Sequence, residues 1–534
     1  IYNYPEIAKS LHYSSQSDTD ILFQLILRKG IHKALETLRG MFAFAFYDEK
    51  EDSFLLARDR MGQKPLYYYQ DEDILLFASE LKSLRKLMEL SNAEVEINKN
   101  AIYHYLCFSN IPEPETIYHN VFAIPPAHYL KYQKGKLTIY PYWKHQYQPK
   151  EEISFDEAKK KTQLKIEDSV KIRLRADVEK GLFLSGGWDS SVIAYEASKH
   201  EQNLKAFTVE YPFQTTQNES KIAKETANQF GLKHEIIKID KSPLALLEKS
   251  INTFGQPMAD SSALPNLAIA EAASQHVKVM LNGDGGDELF GGYRRYFTAK
   301  NIHYLAFTKY LKSLLPIGKR RSKLGFLNRI SRISALPANQ RYLLYTTDMF
   351  QDTDMSFFWS NQNEIKTSSL DLLNKHFNSK LSSLDQLMEW DRNFNLLSGI
   401  LAKMDRASMA YSIEGRSPFL DHQLFEFSNQ LPDSFKISGF NRKHLLKSIY
   451  ADKLPKSVTQ APKTSFEAPL ENWLKNDFNA LLKDLLFNPQ AKIYSYVNYT
   501  EIMLLMKGAK YQERNTDYMI YALLVLEMWL QEND

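Results

Sequence analysis

Large apolar side chains fall at every second position of Met41–Tyr47, where Phe42, Phe44 and Phe46 alternate with Ala43 and Ala45. Successive side chains of an extended chain point to opposite faces, so this period predicts a strand with rings on one side and small groups on the other. Asp48–Asp52 is a polar turn, Ser53–Ala57 returns as a strand, and Leu66–Tyr69 with Ile74–Ala78 reads as a second hairpin. Together these predict an antiparallel sheet region. Upstream, Ile21, Leu22, Leu25 and Ile26 follow helical spacing over 18–29, behind Asp18 and Thr19 as capping residues.

The rhythm changes after the prolines of Ile111–Pro114, Ile124–Pro126 and Tyr140–Trp143, which place a domain edge near residues 143–150. Beyond it Phe155–Lys171 has helical spacing, and four apolar runs, Gly181–Leu184, Lys205–Val209, His234–Ile239 and Val277–Leu281, are separated by helical segments. Strands alternating with helices predict a mostly parallel sheet covered by helices. From about residue 300 onward the periodicity is helical, with no strand series. Tyr518–Leu530 is apolar but shorter than the roughly 20 residues a bilayer needs, and it contains Glu527, so it predicts a buried C-terminal helix.

The 534 residues suffice for two or more cores. A formal charge of +3, with Lys and Arg scattered among acids, offers no basic arm for nucleic acid, and no membrane span is visible. The single cysteine excludes an internal disulfide and fits a reducing, cytoplasmic setting, and the start Ile1-Tyr-Asn-Tyr-Pro has no signal-peptide pattern. That start is not methionine and lies inside a patterned segment, which predicts a fragment or a processed form.

Chemistry concentrates in two glycine-rich turns. Leu182-Phe-Leu-Ser-Gly-Gly-Trp-Asp-Ser-Ser191 is an apolar strand ending in a polar turn. Gly186 and Gly187 let backbone N–H groups face an anion, Ser185, Ser190 and Ser191 supply hydroxyls, and a helix beginning near Val192 turns its N-terminus toward phosphate. Asp189 beside phosphates requires a cation between them, which points to Mg²⁺. The turn lacks the ending of a Walker A loop and the spacing of a dinucleotide fold. Leu281-Asn-Gly-Asp-Gly-Gly-Asp-Glu288 closes a later strand. In a parallel sheet the carboxyl ends of strands share one crevice, so the two turns can meet. Asp287 then joins Asp189 as a magnesium ligand, Asp284 orients or deprotonates an attacking group, and Glu288 caps the next helix or binds a substrate amine. Lys443 offers an ammonium for charge developing at an α-phosphate. A ligand-free serine turn and an acidic surface turn are the bland alternatives.

Ser185–Ser191, Asn282–Glu288, Lys403–Met409, Arg416–Asp421 and Lys463–Trp473 together resemble the glutamine-hydrolysing asparagine synthetases. Ile1–Tyr4, Ser17–Asp20, Arg39–Ala45, Ala57–Tyr67 and Phe77–Glu80 resemble the later part of that family's glutaminase domain, so the likeness covers essentially the whole chain. The resemblance implies a partial N-terminal-nucleophile (αββα) glutaminase domain over 1–145. It implies an adenine-nucleotide α-hydrolase-like, PP-loop ATP pyrophosphatase domain over 146–534, with a parallel sheet and a helical C-terminal part. It implies ATP held by Leu184, Ser185, Gly186, Gly187, Asp189, Ser190, Ser191, Val209 and Gly283, with Mg²⁺ on Asp189 and Asp287. Aspartate, met by Asp287 and Glu288, is activated as β-aspartyl-AMP and amidated by ammonia, with Lys443 and Asp284 catalytic. Asp18 stands where the family holds the glutamine amino group, and relatives are often dimers, so a homodimer is compatible.

The family's cysteine nucleophile carries its own α-amine at the mature N-terminus, and the resemblance places that segment ahead of Ile1. Cys107 lies in the apolar run Ile102–Phe108 and reads as a buried structural thiol, so the glutaminase is expected to be inactive in this chain. Trp188 replaces a usual leucine, Gln256 a frequent glutamate and Ala127 a usual glycine. The competing functions are amidation of a different carboxylate, and a non-catalytic remnant of such an enzyme.

Overall fold

The computed structural model describes residues 1–210, 219–238, 241–311, 322–461 and 468–533. Ile239 of the third predicted strand and residues 463–467 of the Lys463–Trp473 motif lie outside them.

Seven strands build the first part of the chain: β1 (Ala43–Asp48), β2 (Ser53–Arg58), β3 (Tyr67–Gln70), β4 (Leu75–Ala78), β5 (Val121–Ala123), β6 (His128–Gln133) and β7 (Lys136–Pro141). They form two antiparallel sheets, ordered β1-β2-β6-β7 and β4-β3-β5. Leu56, Leu66, Ile124 and Leu130 pack together across the two sheets. On the outer face of the first sheet, Phe42, Leu55 and Ala57 meet Ile21, Leu22, Leu25 and Ile26 of the helix Asp18–Lys29. On the outer face of the second, Tyr67 and Tyr69 meet the helices Leu81–Leu90 and Lys99–Phe108. The result is a helix, sheet, sheet, helix sandwich. The helix Asp18–Lys29 has the predicted extent, but its cap is Ser17, whose side chain accepts the Asp20 N–H, and not Asp18 or Thr19.

Ala127 adopts a left-handed φ of 62° and is buried. That conformation costs an alanine about 1–2 kcal/mol. Burial of its methyl returns about 0.8 kcal/mol, and the stiffer unfolded chain about 0.4–1 kcal/mol. The terms nearly cancel, so an alanine can hold this conformation at little net cost.

The second part holds a parallel sheet of β8 (Lys180–Phe183), β9 (Lys205–Glu210), β10 (Lys233–Lys238), β11 (Val279–Leu281) and β12 (Glu414–Arg416), in the order β10-β9-β8-β11-β12. From β8 the chain first builds outward through β9 and β10, then returns to add β11 and β12 on the other side. The order reverses between β8 and β11, which opens a crevice beyond their carboxyl ends. β12 was not anticipated, because Glu-Gly-Arg is too short and too polar to register as a strand. The rest of the described chain is mainly helical, interrupted by one short antiparallel pair, Ile437–Ser438 with Asn441–Arg442, and it includes π-helical turns over Arg392–Leu401 that lead directly into the helix Ala402–Met409.

The largest core runs across the predicted domain edge. Ile102, Tyr105 and Leu106 pack in one cluster with Leu523, Leu526 and Trp529, and the Tyr105 hydroxyl donates to the Ala522 carbonyl at 2.9 Å. Those last residues belong to the helix Thr516–Asn533, which is buried along most of its length. Among the described residues no helix is long and apolar enough to cross a membrane. Glu527 within it is fully buried and accepts the N–H groups of Lys492 (3.2 Å) and Ile493 (2.8 Å), which open a short 3₁₀ helix. Glu527→Leu strands both donors. Each buried unsatisfied group costs about 1–3 kcal/mol, so urea unfolding is expected to show a loss of at least ~2 kcal/mol, with Glu527→Gln losing less.

Candidate functional site

The turn after β8 is closed by its own side chains. The Ser185 N–H donates to Ser190 Oγ at 3.2 Å, the two hydroxyls lie 3.0 Å apart, and Ser190 Oγ donates to the Gly187 carbonyl at 3.2 Å. Gly186 has a φ of 72°, and a Cβ there would meet the Glu219 carbonyl oxygen at 3.0 Å. Gly187 caps the helix Trp188–Ser198, so the open N-terminus of an eleven-residue helix points out of the turn. Leu184 is buried, with its N–H on the Phe207 carbonyl at 2.8 Å and its carbonyl taking the Thr208 hydroxyl at 2.5 Å. Val209 stands at the carboxyl end of β9. Ser191 is wholly buried in the first turn of the helix Trp188–Ser198, with its N–H on the Gly187 carbonyl at 3.1 Å.

The second turn lies against the first. A Cβ on Gly283 would come within 2.9 Å of Asp189 Cβ, and one on Gly286 within 2.5 Å of Asp189 Oδ1. The glycines are therefore the space through which the Asp189 side chain passes.

Lys443 ties the two turns together. Its ammonium lies 2.5 Å from Asp189 and 2.6 Å from Asp287 Oδ1, and its side chain is only 7% exposed. It holds a left-handed φ of 54° at the start of the helix His444–Tyr450, a strain of the kind that structures keep at working sites. Burial alone would depress the ammonium, but the two carboxylates outweigh it and raise its pKa above the ordinary lysine range. A Cβ on Gly292 would sit 1.8 Å from Asp287 Oδ1 and 2.3 Å from Lys443 Cε. Gly292→Ala is expected to lower activity by roughly 10²-fold or more while the chain still folds, since small misplacements of reacting groups cost that much. Steady-state AMP release beside a melting curve checks both halves of that statement.

Two further acids differ in surroundings. Asp284 is pushed up to about 6, mainly by burial and also by Asp189, against a lowering by Lys403. Glu288 is pushed up to about 7 by burial and by Asp287, and it accepts the Tyr293 hydroxyl at 2.7 Å. Glu288 thus belongs to the Tyr293 side of the loop. There Arg295 stacks 3.8 Å over the Tyr293 ring and pairs with Asp391 at 2.8 Å.

Sequence reasoning missed the group opposite Asp284. Lys403 donates to Asp260 Oδ2 and to Ser262 Oγ, each at 2.6 Å, and is 7% exposed. Lys403 was visible as part of a charged motif, but Asp260 lies 143 positions away and no local pattern marks it. The π-helical turns before residue 402 set the face on which Lys403 emerges.

A magnesium ion suits Asp189 and Asp287, because both are hard oxygen donors and one ammonium already reaches both. Among the described residues no group of three or more His, Cys, Asp or Glu could hold a metal by itself, so nucleotide phosphate oxygens would have to complete the coordination.

Asp18 is elsewhere. It lines a cavity of about 1030 Å³ together with Tyr2, Glu80, Arg175, Lys278 and Glu414, and its carboxylate accepts the Ile1 α-amino group at 2.8 Å. None of Ser185–Ser191 or Asn282–Glu288 lines that cavity. Cys107 is fully buried, and burial with Asp352 and Asp354 drives its thiol pKa well up, so it stays protonated.

A parallel sheet with a glycine-serine turn, an acid-and-glycine turn and a buried lysine meeting at its switch point defines an α/β enzyme that works on a nucleotide. A family model described as asparagine synthase matches residues 161–531, and one described as a glutamine amidotransferase domain matches 1–143. Asparagine synthetase [glutamine-hydrolyzing] 1 of Bacillus subtilis is 31% identical over 99% of this chain and 84% of its own length. Amidase chyE of Penicillium rubens is 25% identical over 93% of this chain and 80% of its own. The chain belongs to the asparagine synthase family. It is a ligase of the glutamine-hydrolysing asparagine synthase type, which forms an amide from a carboxylate with ATP and glutamine.

Proposed function

We propose that residues 146–534 amidate the side-chain carboxylate of aspartate through β-aspartyl-AMP, and that residues 1–145 form the glutaminase-type half. The observation that carries this reading is the Lys443 ammonium held between Asp189 and Asp287, beside the turn at Ser185–Ser190. The backbone N–H groups of that turn and helix bind the phosphates of ATP. An oxygen of the aspartate β-carboxylate attacks the α-phosphorus, the bond to the bridging oxygen breaks, and pyrophosphate leaves. Negative charge grows on the phosphoryl oxygens as this happens, and Lys443 is already in place to meet it without reorganisation. Magnesium held by Asp189 and Asp287 supplies charge neutralisation to the pyrophosphate when bound.

Ammonia then attacks the activated carbonyl, AMP leaves, and the nitrogen loses a proton. Asp284, with a pKa of about 6, is mostly ionised at neutral pH and accepts that proton. Lys403 opposite it suits an anionic group of the substrate. Asp18 in its cavity suits the α-ammonium of glutamine.

Amide and AMP formed from Mg-ATP and aspartate, with ammonia supplied directly, test the reading; equimolar asparagine and AMP support it. The likeness to a relative named an amidase favours one second reading, a different carboxylate as acceptor. AMP formed with other carboxylates but not with aspartate would establish that reading instead.

A further inference from the structure

Charge does not balance at the centre of the nucleotide crevice. Lys443 is one ammonium between two carboxylates, Asp189 and Asp287, so the centre carries surplus negative charge. A triphosphate with one magnesium ion is itself a net anion, and holding it there takes further cations close by.

Two cations flank Lys443. Arg442 precedes it at the end of the short antiparallel pair. Its Nη1 donates to the Gly292 carbonyl at 2.7 Å, and among the described residues it pairs with no carboxylate. Gly292 is closed in by Asp287 Oδ1 and Lys443 Cε, so this half-buried guanidinium stands beside both. Burial and the neighbouring Arg294 lower its pKa from the ordinary arginine range, against a raising by Asp287. Like charges this close repel, and an anion bound beside them relieves the repulsion. On the other side, the Lys447 N–H closes a turn on the Lys443 carbonyl at 2.9 Å, which sets Lys447 one turn beyond Lys443. Its ammonium lies 5.7 Å over the Trp188 ring. Trp188 opens the helix Trp188–Ser198, whose N-terminus points out of the Ser185–Ser190 turn. The ring face attracts the ammonium and so holds Lys447 at the mouth of that turn.

We propose that Arg442 and Lys447 form a cationic rim for the β- and γ-phosphates of ATP and for pyrophosphate as it leaves, an inference that rests on the adenylation reading above. Lys443 serves the phosphorus under attack, and the rim serves the departing group. When the bond from the α-phosphorus to the bridging oxygen breaks, its electron pair stays on pyrophosphate, and the rim meets that charge already in place. A guanidinium also offers a phosphate two parallel donors.

Calorimetric titration of the full 534-residue chain with magnesium pyrophosphate and, separately, with AMP tests this without turnover. Arg442→Gln and Lys447→Gln are each expected to weaken pyrophosphate binding by roughly tenfold and to leave AMP binding unchanged. Lys447→Arg keeps the charge and most of the affinity. Trp188→Leu removes the ring that steadies Lys447 and is expected to weaken pyrophosphate binding by about threefold. An Arg442 that acted only by holding Gly292 in place would weaken both ligands alike. Lys447→Gln, on a different element, decides the matter if Arg442→Gln folds poorly. Equal weakening of both ligands, pyrophosphate binding untouched by either substitution, or no pyrophosphate binding by the unsubstituted chain would overturn the proposal. Failure of the adenylation reading shows separately, as ADP and inorganic phosphate in the turnover assay.

Discussion

Lys443→Met is expected to lower ATP-dependent AMP release by roughly 10²–10³-fold, the usual effect of removing one preorganised group from a developing anion. The prediction rests on three features of this lysine: it is buried, it reaches both Asp189 and Asp287, and its backbone is fixed in a left-handed turn at a helix start. The loss should fall mainly on kcat, because the phosphate-binding turn has its own hydroxyl and backbone groups. Lys443→Arg keeps the charge but brings a planar, bulkier head to a space already closed by Gly292, so it restores little. If the Lys443→Met protein kept most of its AMP release, the ammonium would be a structural tie between two loops.

Asp421→Asn is expected to destabilise the chain by about 3–5 kcal/mol, the range found when one partner is removed from a buried ion pair. Asp421 Oδ2 lies 2.7 Å from Arg39 and 3.0 Å from Arg173, and both Asp421 and Arg173 are almost completely buried. Arg39 also pairs with Asp168 at 2.6 Å, so the cluster joins the first part of the chain to the helix Phe155–Arg173 and to the loop after β12. The amide of asparagine leaves the buried Arg173 without its counter-charge. Burial alone would raise the Asp421 carboxyl, but Arg173 and Arg39 outweigh it and hold it well below the usual carboxylate range. A carboxylate whose folded pKa is depressed stabilises fully above its unfolded value near ~3.9. That stabilisation disappears as pH falls through the lower folded value. Urea unfolding should therefore show the whole gap between the native chain and Asp421→Asn at neutral pH, and a narrowing gap below about pH 4. A gap independent of pH across that window would mean that the cost comes from packing.

Elements with a strong period were legible in the sequence, and elements without one were not. Four apolar residues at helical spacing marked the helix Asp18–Lys29, and alternating Phe and Ala marked β1, because one buried face imposes one period. β12 contributes three residues to the edge of the parallel sheet and carries no such period. The meeting of the two glycine-rich turns followed from the rule that parallel strands present their carboxyl ends to one crevice, and β8 and β11 are neighbours. Lys443 was visible as a charge near that crevice. Its tie to two carboxylates was not, since it depends on a partner 254 positions away. Long separations in sequence likewise hid Asp260 behind Lys403, and Arg39 behind Asp421.

The central claim is that the crevice beyond β8 and β11 joins a carboxylate oxygen to the α-phosphorus of ATP. Aspartate labelled with ¹⁸O in its side-chain carboxylate, turned over with Mg-ATP and ammonia, tests it most directly. The account predicts one labelled oxygen in the phosphate of each AMP and none in pyrophosphate. Label in inorganic phosphate with release of ADP, or AMP free of label, would contradict it.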